Sequence, residues 1–263
     1  MKKLRHGLFS ILNTSNLDSP EFRIANYLIN NIYKPKKISL SDIADNCFVS
    51  KSTVSRFCRR LGFIDYSSIL QTMNIAKTKR YRRYDEYTDL DIDQINSLYL
   101  SQVTSTLTKV QQYASQEVLD RFIDILCRYN NIGIFGQMQS YAVALNFQSE
   151  LSSFDKYAVC FPLLTEQENF ILKSGSDTLV IVISCSARYF QDFEDSFEGQ
   201  SDRPHLVLLT NNPRVRICPP FDEVFIIPCG DDTASRPLAI QIFTNLVTMH
   251  LARRIHSSSK LEY

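Results

Sequence analysis

Lys51, Ser52, Thr53, Ser55, Arg56, Arg59 and Arg60 crowd into ten residues that contain no acidic side chain. Ammonium and guanidinium groups interleaved with hydroxyls bind phosphate oxygens, and an arginine can also grip the O6 and N7 edge of guanine with two parallel hydrogen bonds. Val54, Phe57, Cys58 and Leu61 run through the same stretch at i, i+3, i+4 and i+7. That spacing makes a helix with one apolar face, from which Ser52, Arg56 and Arg59 point away while Lys51, Thr53, Ser55 and Arg60 flank them. For any one of these side chains, a solvated basic face is the plain alternative.

A second set is hydroxylic. Ser140 follows the apolar run IGIF, Ser184 and Ser186 close the run TLVIVIS, and Ser235 with Arg236 opens the last helical stretch. Hydroxyls and backbone N–H groups at strand ends and helix starts hold anions, although ordinary caps and turns explain these serines equally well. Proton-transfer chemistry finds less support. His6, His205, His250 and His256 form no local constellation, and Glu150 or Glu166 would serve as a base only inside a pocket that spacing does not define. No catalytic residue and no cofactor are expected, and the chain does not read as an enzyme.

Seven cysteines, at 47, 58, 127, 160, 185, 218 and 229, make no CxxC or Cys/His spacing, so no metal site is expected. They read as reduced thiols in a reducing compartment, the cytoplasm. No apolar run approaches the roughly 20 residues that span a bilayer, and Met1 to Leu12 has too short an apolar core for a secretory signal.

The elements that must position the basic set are punctuated by caps. Ser19-Pro20-Glu21 opens a helix carrying Ile24, Ala25, Leu28, Ile29 and Ile32, which Pro35 ends. Ser39 with Asp42 resembles a capping box for a short helix through Asn46, and Ser50 caps the basic helix that Gly62 stops. Three capped helices with a tight turn at Val49 give an all-α helix-turn-helix domain, whose last helix suits the major groove of double-stranded DNA. Charge agrees: residues 1–84 hold 16 Lys and Arg against 5 Asp and Glu, whereas 85–263 hold 13 against 23. A basic front and an acidic back suit a protein that offers only its first part to a polyanion. Lys77 to Arg83 adds a second basic run, either a phosphate grip or a solvated hinge.

The rest alternates. After an acidic linker, Asp85–Asp93, and a helix over about Ile95–Ala114, strands are expected at Asn131–Phe135, Tyr157–Phe161, Thr178–Ser184, His205–Thr210 and Glu223–Pro228. Helices fill the intervals at Asp120–Tyr129, Ser140–Ser152, Glu166–Lys173 and Tyr189–Phe197, and one closes the chain over Ser235–Ile255. This is an α/β pattern: a parallel five-stranded sheet flanked by helices. The expected domains are residues 1–84, a linker and connecting helix over 85–117, and residues 118–263.

The stretch SLSDIADNCFVSKSTVSRFCRRLGF, followed by Tyr66, resembles the helix-turn-helix domain of the RpiR/MurR family of bacterial transcriptional regulators. That resemblance implies a sugar isomerase (SIS) domain in the second part, a homodimer or homotetramer, an operator among carbohydrate metabolism genes, and a sugar phosphate effector. SIS loops of that family read GxGxS and SxSGxT. Here Met138 stands for the second glycine, Ala187 for the glycine of the other loop and Tyr189 for its threonine, while Ser140, Ser184 and Ser186 remain. Ser235 and Arg236 resemble a family position near the effector pocket. Two other readings stay open: a sugar-phosphate isomerase-type SIS enzyme, and a regulator that has lost ligand sensing.

Overall fold

A computed structural model describes residues 2–33, 38–78, 84–189, 202–215, 220–230, 232 and 235–259. The chain divides into two compact units, one of residues 1–82 with 161–169, the other of residues 83–160 with 170–263.

The first unit is helical: α1 (Lys2–Thr14), α2 (Pro20–Asn31), α3 (Leu40–Asn46), α4 (Lys51–Arg60) and α5 (Tyr66–Thr78). Its core joins Leu4, Leu8 and Ile11 of α1 to Ile24, Ala25 and Leu28 of α2, Ile43 of α3, Val54, Phe57 and Cys58 of α4, and Ile69 and Met73 of α5. Helix α1 is an addition to the expected set. Its apolar residues recur at i, i+4 and i+7, but Lys2, Lys3, Arg5 and His6 break up the pattern that a linear reading looks for. Residues 161–169 complete this unit: Leu163 enters the core, and Ser10 Oγ donates to the Pro162 carbonyl at 2.7 Å. His6 is buried there and hydrogen-bonded to the same carbonyl.

The second unit contains α6 (Ile92–Tyr113), α7 (Gln116–Arg128), β1 (Asn131–Gly136), α8 (Gln139–Ser152), β2 (Ala158–Val159), β3 (Thr178–Ile183), β4 (His205–Thr210), β5 (Glu223–Ile226) and α10 (Arg236–Ser259). Helix α9 (Leu164–Lys173) has its first six residues in the helical unit and its last four in this one. The strands pair in the order β2-β1-β3-β4-β5, all parallel. Every residue of β3 is buried, as a parallel strand covered on both faces requires. Phe122, Phe225 and Phe243 pack edge to face beneath the sheet, with centroids 5.0 and 5.8 Å from Phe122. At the start of β4, Asp222 takes a two-pronged ion pair from Arg203 at 2.8 and 2.6 Å and the Leu206 N–H at 2.8 Å.

Three strands are shorter than the sequence suggests, β3 by one residue, since it ends at Ile183. β2 keeps only Ala158 and Val159 of the expected 157–161, since it is an edge strand paired on one side with β1. β5 stops at Ile226: the Ile227 N–H still donates to the Thr210 carbonyl at 2.7 Å, but Pro228 has no N–H to extend the ladder. Helices α6, α7 and α9 begin three, four and two residues earlier than expected. The helix expected over Tyr189–Phe197 falls outside the described residues beyond Tyr189, as do Pro35 and residues 79–83 of the second basic run.

Candidate functional site

The basic face is built by local chemistry at both ends of α4. Upstream, Ser39 and Asp42 form the expected capping box of α3, with Asp42 N–H on Ser39 Oγ at 3.0 Å and Ser39 N–H on Asp42 at 2.7 Å. The Ser39 N–H, and after it the Ser39 hydroxyl, hold the Asp42 carboxyl below the usual carboxylate range. The chain then turns through Cys47, Phe48 and Val49, with Phe48 in the left-handed region at φ 51°. Val49 N–H closes the turn on the Ala44 carbonyl at 2.9 Å. Ser50 caps α4, accepting the Thr53 N–H at 3.1 Å.

Downstream, Gly62 sits at φ 75°, the Gly62 N–H bonds the Arg59 carbonyl at 2.9 Å and the Phe63 N–H bonds the Cys58 carbonyl at 3.0 Å. This is a Schellman ending, and only glycine takes its left-handed residue without strain. Tyr66 is buried and donates to the Ile38 carbonyl at 2.8 Å, tying α5 to the segment ahead of α3.

The structure places all seven predicted residues on α4. Lys51, Ser52, Arg56, Arg59 and Arg60 are exposed, while Thr53 and Ser55 are half-buried at the margins. Ser55 Oγ donates back to the Lys51 carbonyl at 3.1 Å. Arg60 lies 3.9 Å from Glu21 of α2, so its charge is shared with an acid. The three side chains centred on the free face are therefore Ser52, Arg56 and Arg59, on a helix about 15 Å long. That length and width suit a groove about 12 Å across.

The serines sit at the carboxyl end of the sheet, where open α/β sheets place their ligands. Ser140 is buried in the first turn of α8, with its Oγ 3.7 Å from Cys185 Sγ. Ser184 Oγ accepts the Arg188 N–H at 3.2 Å, and the Ser186 carbonyl accepts from the Asn212 side chain at 3.3 Å. These three thus gather around the ends of the adjacent strands β1 and β3. Gly136 is held by contact: a Cβ there would lie 2.8 Å from the Ser140 backbone.

Met138 keeps the backbone shape of a glycine, φ 56° and ψ −120°, and its side chain stands at the N-terminus of α8. Ala187 likewise has φ 55°. Both glycine conformations persist with side chains mounted on them.

Ser235 ends the connection after β5 and Arg236 begins α10. Ser235 is fully buried, its N–H donates to Asp232 at 2.7 Å and its Oγ–H to the same carboxylate at 2.5 Å. Thr106 of α6 donates to Ser235 Oγ at 3.1 Å and accepts the Gly230 N–H at 2.9 Å. Lys109 Nζ caps the Cys229 carbonyl at 3.1 Å, and burial pushes the Cys229 thiol pKa up. A carboxylate of the chain itself therefore holds the start of α10. Sequence reasoning missed Asp232, Thr106, Lys109 and Cys185. The spacing Asp232-x-x-Ser235 was a usable capping signal, but Thr106 is 129 residues from Ser235.

The side chains considered as bases are scattered. Glu150 is exposed on α8 and Glu166 belongs to the helical unit. His205 stacks on Tyr129 at 5.7 Å at the amino end of the sheet, and His250 lines an open surface depression with Asp120, Asp124 and Arg253. Among the described residues no three His, Cys, Asp or Glu side chains gather as a metal site, and no helix is long and apolar enough to cross a membrane.

Comparison with known proteins agrees with this geometry. Residues 11–75 match the family model described as a helix-turn-helix domain of the rpiR family. The transcriptional regulator HexR of Pseudomonas aeruginosa is 24% identical over 190 residues, covering 72% of this chain and 66% of that protein. HexR of Escherichia coli is 23% identical over 176 residues, covering 66% and 61%. The chain thus spans less than two thirds of the length of these relatives. Among solved structures, a putative sugar-phosphate isomerase from Listeria monocytogenes aligns with 64% of this chain and 93% of its own, at TM-score 0.50 and 15% identity. The second unit accordingly shares the fold of that putative isomerase, and residues 11–75 are similar to the helix-turn-helix domain of the rpiR family.

Proposed function

We propose that this protein is a cytoplasmic transcriptional regulator that binds a double-stranded DNA operator as a homodimer or homotetramer, with α4 in the major groove. The observation that carries the proposal is the free face of α4: Ser52, Arg56 and Arg59 exposed together on a helix capped at both ends. Arg56 and Arg59 reach bases or phosphates, and Lys51 and Arg60 contact phosphate at the flanks. The sheet unit holds copies together and senses a phosphorylated sugar at the β1 and β3 ends, so that ligand favours one arrangement of the DNA-binding units over another. The regulated genes, on this reading, serve carbohydrate metabolism. Catalysis is not part of this reading.

A second reading, a regulator without a small-molecule ligand, is favoured by Met138 at the start of α8 and by Asp232 already at the start of α10. Selection of DNA sites by the purified protein, followed by binding titrations across salt, tests the first claim. Arg56→Ala is expected to weaken operator binding about 5- to 150-fold if it reads a base. If it holds phosphate instead, it lowers the salt slope by about 0.9 per copy. Operator affinity unchanged in both Arg56→Ala and Arg59→Ala would sink the assignment. Thermal-shift screening against hexose and amino-sugar phosphates separates the two readings, since a ligand of the native state raises the midpoint.

A further inference from the structure

The last four carbonyls of an α-helix have no partner within it. In α4 they belong to Phe57, Cys58, Arg59 and Arg60. The Leu61 N–H donates to the Phe57 carbonyl at 3.2 Å, the Phe63 N–H to the Cys58 carbonyl at 3.0 Å and the Gly62 N–H to the Arg59 carbonyl at 2.9 Å. The glycine ending thus closes three of the four. The fourth is closed from far along the chain: Thr165 Oγ1 donates to the Arg60 carbonyl at 3.1 Å, across 105 residues of sequence.

Thr165 is held in place by the segment that carries it. Residues 161–169 belong to the helical unit. The Pro162 carbonyl accepts from Ser10 and His6 of α1, and Leu163 is buried in the core shared by α1 to α5. Gln167, fully buried, donates from Nε2 to the Phe161 carbonyl at 2.6 Å and so fixes the turn ahead of α9. The Thr165 methyl stands so near Gly62 that a Cβ on the glycine would lie 3.0 Å from it. Glycine at this position therefore serves the left-handed backbone and the approach of Thr165 together. Gly7 of α1 admits Leu61 in the same way, since a Cβ there would lie 2.8 Å from Leu61 Cδ2.

Arg59 and Arg60 ride on this last turn. A helix end with an unmet carbonyl frays, and a frayed turn must be reordered before its guanidinium groups can meet DNA. We propose that Thr165 is a positioning residue for DNA binding: its hydroxyl holds the last turn of α4 closed, so that a segment far downstream takes part in presenting Arg59 and Arg60. The proposal rests on the reading of α4 as the helix that contacts DNA. On it, the matched residues 11–75 are less than the whole DNA-binding unit, which residues 161–169 complete.

Variants of the full chain test this by hydrogen exchange over residues 57–63 and by titration with selected operator DNA. Thr165→Val keeps the shape of the side chain and removes its hydroxyl. Loss of that one hydrogen bond is expected to speed exchange over 57–63 by about 2- to 12-fold and to weaken operator binding by about the same factor. The salt slope stays unchanged, because no charge is touched. Thr165→Ser keeps the hydroxyl and is expected to match wild type in both measurements. Position 165 is partly exposed in the first turn of α9, so both variants are expected to fold. Wild-type exchange or wild-type affinity in Thr165→Val, or a Thr165→Ser that behaves as Thr165→Val does, overturns the proposal. Failure of the DNA-binding reading shows separately: Arg56→Ala and Arg59→Ala then bind as wild type does, while the exchange measurement, which uses no DNA, still reports on Thr165.

Discussion

Replacing Met138 with glycine is expected to stabilise the sheet unit. The residue sits at φ 56° and ψ −120°, a region that a Cβ makes costly and glycine enters freely. Holding a non-glycine residue in such a sparsely populated conformation costs about 1–3 kcal/mol. Glycine returns part of that gain, about 0.4–1 kcal/mol, through the greater freedom of the unfolded chain. The net is up to about 2.6 kcal/mol, which for a unit of this size raises the unfolding midpoint by up to about 10 °C. Differential scanning calorimetry of the full chain, with the sheet unit's transition identified by the shift itself, reads the change. Met138→Ala is the control, since it retains the Cβ while losing the side chain's contacts, and its midpoint must not rise. A Met138→Gly midpoint at or below wild type, or a rise in Met138→Ala, would refute the idea that this loop carries strain. The glycine variant also removes a side chain from the N-cap position of α8, so a stronger thermal response to sugar phosphates than wild type is expected from it.

Three further outcomes follow from the hydrogen bonds. Burial pulls the His6 pKa below its ordinary 6.5, against a smaller upward pull from the Pro162 carbonyl. The unfolded chain therefore takes up the proton first: stability of the helical unit is complete above about pH 6.5 and falls as pH drops from there through the folded value. Chemical denaturation between pH 7.5 and 5 should show that loss, and His6→Gln should flatten it. For Asp222, burial pushes the carboxyl up but the Arg203 guanidinium and Leu206 N–H outweigh it, so the pKa is lowered and the stabilisation is lost only as pH falls below the ordinary carboxylate value. Asp222→Asn is expected to cost about 1.5–3 kcal/mol at neutral pH, measured by urea unfolding, and a neutral effect would contradict the clamp. Ser50→Ala removes the cap of α4 and should cost about 1 kcal/mol in the same assay, with weaker DNA binding.

Where a structural cause lies within a few residues, it was legible in the sequence. The caps at Ser19, Ser39 and Ser50, the apolar spacing from Val54 to Leu61 and the stop at Gly62 act over one or two helical turns, and the structure places them as read. The apolar strands were legible because parallel strands are buried on both faces and leave uninterrupted runs. Contacts made at long range were not. Nothing near Ser10 announces Pro162, and nothing near Ser235 announces Thr106. The backbone of Met138 was hidden for another reason: a methionine side chain argues against the positive φ that the loop nevertheless holds there.

The caps at both ends of α4 have a kinetic and thermodynamic corollary. On the proposed reading, a helix whose first turn is capped by Ser50 and whose last turn is closed by the Gly62 ending arrives at DNA in its final shape. Little ordering entropy is then owed on docking, encounters need not wait for a folding step, and the heat-capacity change of binding should reflect the contact surface alone. On the proposed reading, control over affinity comes from how far apart the finished helices of paired copies are held, because neither has any folding left to withhold.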